Sequence, residues 1–169
     1  MMRRVLLAAM IVASTGVALA GNPHFRCLTD GVKAEGKSFF IFDNSRTKLA
    51  RAVEMTRTGD VSGGYPVGTI LQLFPSEAMV KRKPGFNPEG GDWEFFKLSL
   101  EQTKSGRWRT RVAERGRSEV TNSAGSCQAC HTSIARDHDF VCEFVIGAAG
   151  LGLTDEQIAA IQASDPRCH

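Results

Sequence analysis

The chain is 169 residues long, carries 21 Lys and Arg against 18 Asp and Glu, and is 42% hydrophobic. That length supports one domain with a real core. The near balance of charge gives no support for nucleic-acid binding, which needs a basic face, and beyond the leader no apolar stretch approaches the roughly 20 residues of a membrane span, so no membrane insertion is expected.

Met1 to Ala20 reads as an export signal: Arg3 and Arg4 form the positive start, Val5 to Val12 the short apolar run, and Ala18-Leu19-Ala20 the cleavage site. Loss of the two arginines leaves 19 basic against 18 acidic residues, and a periplasmic or secreted location is expected after cleavage near Ala20. Residues 21–169 read as a single domain ending in a short helical tail over about 142–169.

Residues 44–58 predict a helix: Asn44 or Ser45 can cap it, Leu49, Ala52 and Val53 mark its apolar side, and Gly59 can end it. Pro66-Val67-Gly68 is turn chemistry leading into the β-rich run Thr69 to Phe74, which Pro75 stops. Ala78 to Lys81 predicts a second short strand, and Lys83 to Asp92 a loop rich in Pro, Gly and Asn. Trp93 to Leu100 alternates, with Trp93 and Phe95 on one face and Phe96, Leu98 and Leu100 on the other, as in a strand covered on both sides. Arg107, Arg109 and Arg111 alternate with Trp108, Thr110 and Val112. That pattern predicts an amphipathic strand with its arginines in water, the alternative being that one of them meets an anionic group or that the row docks a partner. Thr121 to Ser126 is a small polar loop, and Thr132 to Arg136 predicts a short helix. Thr154-Asp155-Glu156-Gln157 opens a tail helix that should bury Ile158 and Ile161 and cannot pass Pro166. Strands outnumber helices in the middle of the chain, which points to an α+β fold.

The stretch that carries chemistry is Cys127-Gln128-Ala129-Cys130-His131, the Cys-x-x-Cys-His pattern of covalent c-type haem attachment. Thiols three positions apart can form thioethers to the two vinyl groups on one porphyrin edge, and the histidine that follows is held beside the iron. From 5 Cys and 4 His in 169 residues, roughly 0.003 such matches are expected by chance. Two other readings use the same residues. One is a redox dithiol, although no βαβ pattern surrounds it. The other is a zinc site in which His138 and Cys142 complete a tetrahedral set. The remaining cysteines, Cys27, Cys142 and Cys168, allow one disulfide in an exported protein and leave one thiol over; Cys142–Cys168 and Cys27–Cys168 both stay open.

Four segments resemble the cytochrome P460 family, which includes the cytochrome c′-β proteins: Tyr65-Pro66-Val67-Gly68-Thr69, Met79-Val80-Lys81-Arg82, Gly85-Phe86-Asn87-Pro88-Glu89-Gly90-Gly91-Asp92-Trp93, and the Cys127–His131 motif followed by Asp139-Phe140-Val141. The likeness covers roughly residues 40 to 141. It implies a mainly antiparallel sheet with a few helices, a single covalent haem c packed on the sheet, proximal ligation by His131, and a vacant or weakly occupied distal side. Members that oxidise hydroxylamine carry a haem-linked lysine on the strand after the Pro-x-Gly-Thr turn. Here that position is Leu73, and Lys81 and Lys83 on the next strand and loop are expected to be solvated.

The sixth iron ligand separates electron transfer from ligand binding and catalysis. Met55 and Met79 fall in patterned elements and read as core packing, His24 and His169 lie near the termini, and His138 follows His131 too closely to reach the opposite face. An open, apolar distal site is therefore expected, with Leu71, Leu73, Phe74, Phe86, Phe95 and Phe96 as its candidate wall. The leading reading is binding of nitric oxide or a similar gaseous or nitrogenous ligand. Hydroxylamine oxidation and simple electron transfer are the alternatives, and a periplasmic redox partner and a second copy of the chain are the macromolecular partners to look for.

Overall fold

The computed structural model describes residues 23–123 and 125–169; the export signal read over residues 1–20 lies outside the described residues. Six antiparallel strands form one sheet in sequence order: β1 (Val32–Lys33), β2 (Phe40–Phe42), β3 (Ile70–Phe74), β4 (Glu77–Lys81), β5 (Trp93–Gln102) and β6 (Trp108–Gly116). Neighbouring strands are neighbours in sequence, so no crossover is needed, although β2 and β3 are joined by a long connection. Helix α1 (Arg46–Thr58) bridges β2 and β3, α2 (Cys127–Ala135) follows a small ribbon, β7 (Thr121–Asn122) with β8 (Gly125–Ser126), and α3 (Asp155–Ala163) lies in the tail. No helix among the described residues is long and apolar enough to cross a membrane.

Side-chain alternation splits the core in two. Ile41, Leu71, Met79, Trp93 and Phe95 face one side, where Ala52 and Met55 of α1 cover them. Phe40, Phe42, Ile70, Val80, Phe96 and Leu98 face the other, under Phe25 and Leu28 of the N-terminal segment. Helix α1 is capped as its sequence requires: the Ser45 hydroxyl accepts from the Lys48 amide, and Gly59 takes the left-handed conformation at φ +74. Beneath β5 on the second face, Glu94 is buried and accepts from Arg82 Nε at 2.6 Å and Arg115 Nε at 2.7 Å.

The tail is part of the same body. Cys27 and Cys168 form the disulfide, spanning 141 positions, and Cys142 is free. Beside the bridge, Asp165 is fully buried, accepting from the Leu28 amide at 3.0 Å and from Arg167, whose guanidinium also donates to Thr110. Thr154 and Gln157 form the expected capping box of α3. Ile158 is buried, but Ile161 is 37% exposed, contrary to its sequence pattern, because the buried side of this short helix runs through Ile158 and Gln162.

Candidate functional site

The Ser126 hydroxyl caps α2 by accepting from the Ala129 amide, so the helix begins at Cys127 itself rather than after the motif. Thiols at i and i+3 then share one helical face. Cys127, Cys130 and His131 all line a cavity of about 210 Å³ between α2, the sheet and the tail. Its apolar wall includes Phe39, Leu71, Leu73, Phe74, Met79 and Val141. Phe95 also lines it, and its ring centroid lies 5.1 Å from that of His131.

Leu73 and Phe74 both reach the cavity although they are adjacent, because the β3–β4 register shifts between Leu71 and Phe74. The tail braces this strand: Gln162 Nε2 donates to the Leu73 carbonyl at 2.9 Å. Two of the expected wall residues stand differently. Phe86 is outside the cavity, half-buried under the Arg117 guanidinium at 5.0 Å, because the loop that carries it folds against α2 from behind. Phe96 borders the cavity, but its ring belongs to the opposite face, 5.1 Å from Phe25. Met79 is buried in the core, as expected, and also lines the cavity, whereas Met55, on α1, is in the core but does not line the cavity. The arginine row faces water: Arg109 and Arg111 are exposed and share Glu101.

The clearest geometric feature concerns His131. Its Nδ1 lies 2.6 Å from the Phe140 carbonyl oxygen, so in the tautomer that satisfies both groups Nδ1–H donates and Nε2 keeps its lone pair. Burial lowers the pKa of the ring, against the pull of that carbonyl, and keeps it neutral at neutral pH. The carbonyl is aimed by two consecutive left-handed residues, Asp139 at φ +46 and Phe140 at φ +62. That is costly backbone for non-glycine residues, and it persists only where its surroundings enforce it.

Those surroundings are the segments singled out in the sequence. The Asp139 carboxylate accepts from Lys81 Nζ at 2.5 Å and from the Tyr65 amide at 2.8 Å, and its carbonyl accepts from Trp93 Nε1 at 2.7 Å. Lys81 is therefore buried and ion-paired, not solvated as its sequence suggested; Lys83 is exposed. Burial raises the Asp139 carboxyl above the usual range in spite of Lys81. Gly91, at φ +63, packs so closely on the Phe140 ring that an added Cβ would come within 2.2 Å of it. Asn87 holds α2 from behind, its Nδ2 donating to Gln128 Oε1 at 3.0 Å and to the Trp93 carbonyl at 2.8 Å.

Cys142 lines the same cavity. Burial, then the neighbouring Cys130 thiol, pushes its pKa up to about 12, and burial and Glu77 raise that of Cys127. His138 stacks on Phe144 with ring centroids 6.1 Å apart. Cys127, Cys130, His138 and Cys142 do not form the tetrahedral set that zinc would need. Among the described residues, the one set of His, Cys and acidic ligand atoms within 4.8 Å of one another is Cys27, Asp165 and Cys168, whose two sulfurs are bonded together. The residues present suit a covalent haem better: two thiols on one face, a neutral imidazole with one nitrogen already oriented, and an apolar cavity beside them. Comparison with family models, with curated proteins and with solved structures finds no match to this chain.

Proposed function

We propose that the protein is an exported c-type haem protein that binds a small neutral ligand such as nitric oxide. One observation carries the reading: the His131 ring lines the same apolar cavity as Cys127 and Cys130, and its Nδ1 is engaged by the Phe140 carbonyl. Cys127 and Cys130 would hold the group through thioethers, and His131 Nε2 would ligate its iron. Haem bound there would supply a redox-active iron able to take a diatomic ligand. The chain's own contribution is to fix the imidazole, exclude water with Phe39, Leu71, Leu73 and Phe95, and keep lysine off the position where hydroxylamine-oxidising relatives of this pattern carry one. The Cys27–Cys168 disulfide accords with maturation in an oxidising compartment.

Optical spectra of the purified ferric and ferrous protein, with and without nitric oxide, test the reading. A five-coordinate ferrous spectrum that changes on adding nitric oxide is expected. A six-coordinate spectrum that ignores it, and that Met79→Ala converts to five-coordinate, would favour electron transfer instead, since Met79 brings the one thioether that lines the cavity among the described residues.

A further inference from the structure

The Lys81–Asp139 pair does not line the cavity. Lys81 reaches across from β4, lies over the Trp93 ring at 5.0 Å, and donates to the Gly91 carbonyl at 2.8 Å as well as to Asp139. The ion pair is about nine-tenths buried on both sides, with side-chain exposures of 10% and 9%. Well-packed apolar residues often stabilise as well as a buried pair of this kind, so stability alone does not account for it. What it supplies is direction. The lysine fixes one carboxylate oxygen, the Tyr65 amide fixes the other, and the indole of Trp93 fixes the carbonyl of the same residue. Asp139 is thus held at three points immediately before Phe140, whose amide donates to the Ala135 carbonyl at 2.8 Å and whose carbonyl, in a peptide that the Val141 amide ties to the His138 carbonyl at 3.0 Å, meets His131 Nδ1.

We infer that Lys81 and Asp139 are positioning residues for His131, setting the strength of its Nδ1 hydrogen bond and hence the donor strength of Nε2. The inference rests on the haem reading for its consequence but not for its geometry. A firmly held Nδ1–H···O=C bond gives the imidazole more electron density to donate, which strengthens its bond to a metal and favours the oxidised state. Loosening the loop should weaken that bond without touching any residue of the cavity wall.

The test uses Lys81→Met, Asp139→Asn and the double variant in the full-length haem-loaded protein. The double variant leaves no unpaired buried charge, so it reports even where a single variant fails to fold. The readout is the ferrous iron–histidine stretching frequency by resonance Raman spectroscopy, with the haem midpoint potential beside it. A shift to lower frequency and a more positive potential are expected in every folded variant, with the optical signature of the cavity side retained. A folded variant with the wild-type frequency and potential would overturn the inference. A second measurement keeps it separate from the haem reading: nitrogen-15 NMR of histidine in the full chain before haem is attached, where Nε2 is free and the tautomer reports the Phe140 contact alone. His131 should show the Nδ1–H tautomer in the wild type and a mixture in Asp139→Asn. If the wild type carries no haem, the functional reading falls while this measurement still decides the inference; an unchanged tautomer in the folded variant refutes it.

Discussion

Gly91→Ala should damage the protein by two separable routes. At φ +63 an alanine gives up roughly 1–2 kcal/mol simply for occupying left-handed backbone. Its Cβ would also stand 2.2 Å from Phe140 Cδ2 and 2.4 Å from Cε2, inside the ring's own volume, so the ring must move. Overpacking of that kind costs a further 1–3 kcal/mol or so. The sum, about 2–5 kcal/mol, corresponds to a fall in Tm of roughly 4–20 °C for a domain of this size. Gly85→Ala is the matched control: its φ is +86, and nothing lies within 4 Å of an added Cβ, so only the backbone cost of about 1–2 kcal/mol applies. Thermal unfolding by circular dichroism, on the same preparation of each, gives the difference directly. Because the displaced ring belongs to the residue whose carbonyl holds His131, Gly91→Ala should also disturb the histidine, and Gly85→Ala should not. Equal Tm values for the two variants would show that Phe140 yields freely and is not held as described.

Cys27→Ser should lower stability by about 2–5 kcal/mol, because the lost bridge spans 141 positions of chain; chemical denaturation with and without reductant measures this. The Asp165 carboxyl would be pushed up by burial alone, but hydrogen bonds from Arg167 and the Leu28 amide outweigh that and hold it below the usual range. Its contribution is therefore complete above the unfolded carboxyl value near ~4 and is lost as pH falls through the lower folded value. Acid unfolding should begin at higher pH in Cys27→Ser than in the wild type, and an Asp165→Asn variant should lose this part of the acid dependence. Mass spectrometry of haem peptides should find thioethers at Cys127 and Cys130 and no further covalent link on β3, since the residue at 73 is leucine; a third link would return the hydroxylamine reading to the front.

Local chemistry made some elements legible and not others. Helix α1 and its Gly59 stop were readable, its cap was narrowed to Asn44 or Ser45, and β3, β4 and β5 were readable too, because turns and alternation stand in adjacent residues. Strand β2 was not, since Phe40–Phe42 is too short to show a period and is defined by pairing with β3, some thirty positions on. The motif identified Cys127, Cys130 and His131, but no local signal names the carbonyl that orients the histidine. Lys81 misled for the same reason: a lysine in an alternating strand reads as solvated until its partner, Asp139, arrives from 58 positions away. The sequence offered Phe86 as a wall residue through hydrophobicity alone, which says that a ring is covered but not by what; here the cover is Arg117.

The central claim is that this chain carries one covalent haem at Cys127 and Cys130. The direct measurement is the mass of the denatured, acid-extracted mature protein, produced in a host that matures c-type haem and shown to load a control c-type cytochrome in parallel. The account predicts a chain heavier by one haem, with the added mass on the peptide holding both cysteines and absent from Cys127→Ala/Cys130→Ala. A wild-type chain of unmodified mass beside a fully loaded control would contradict it.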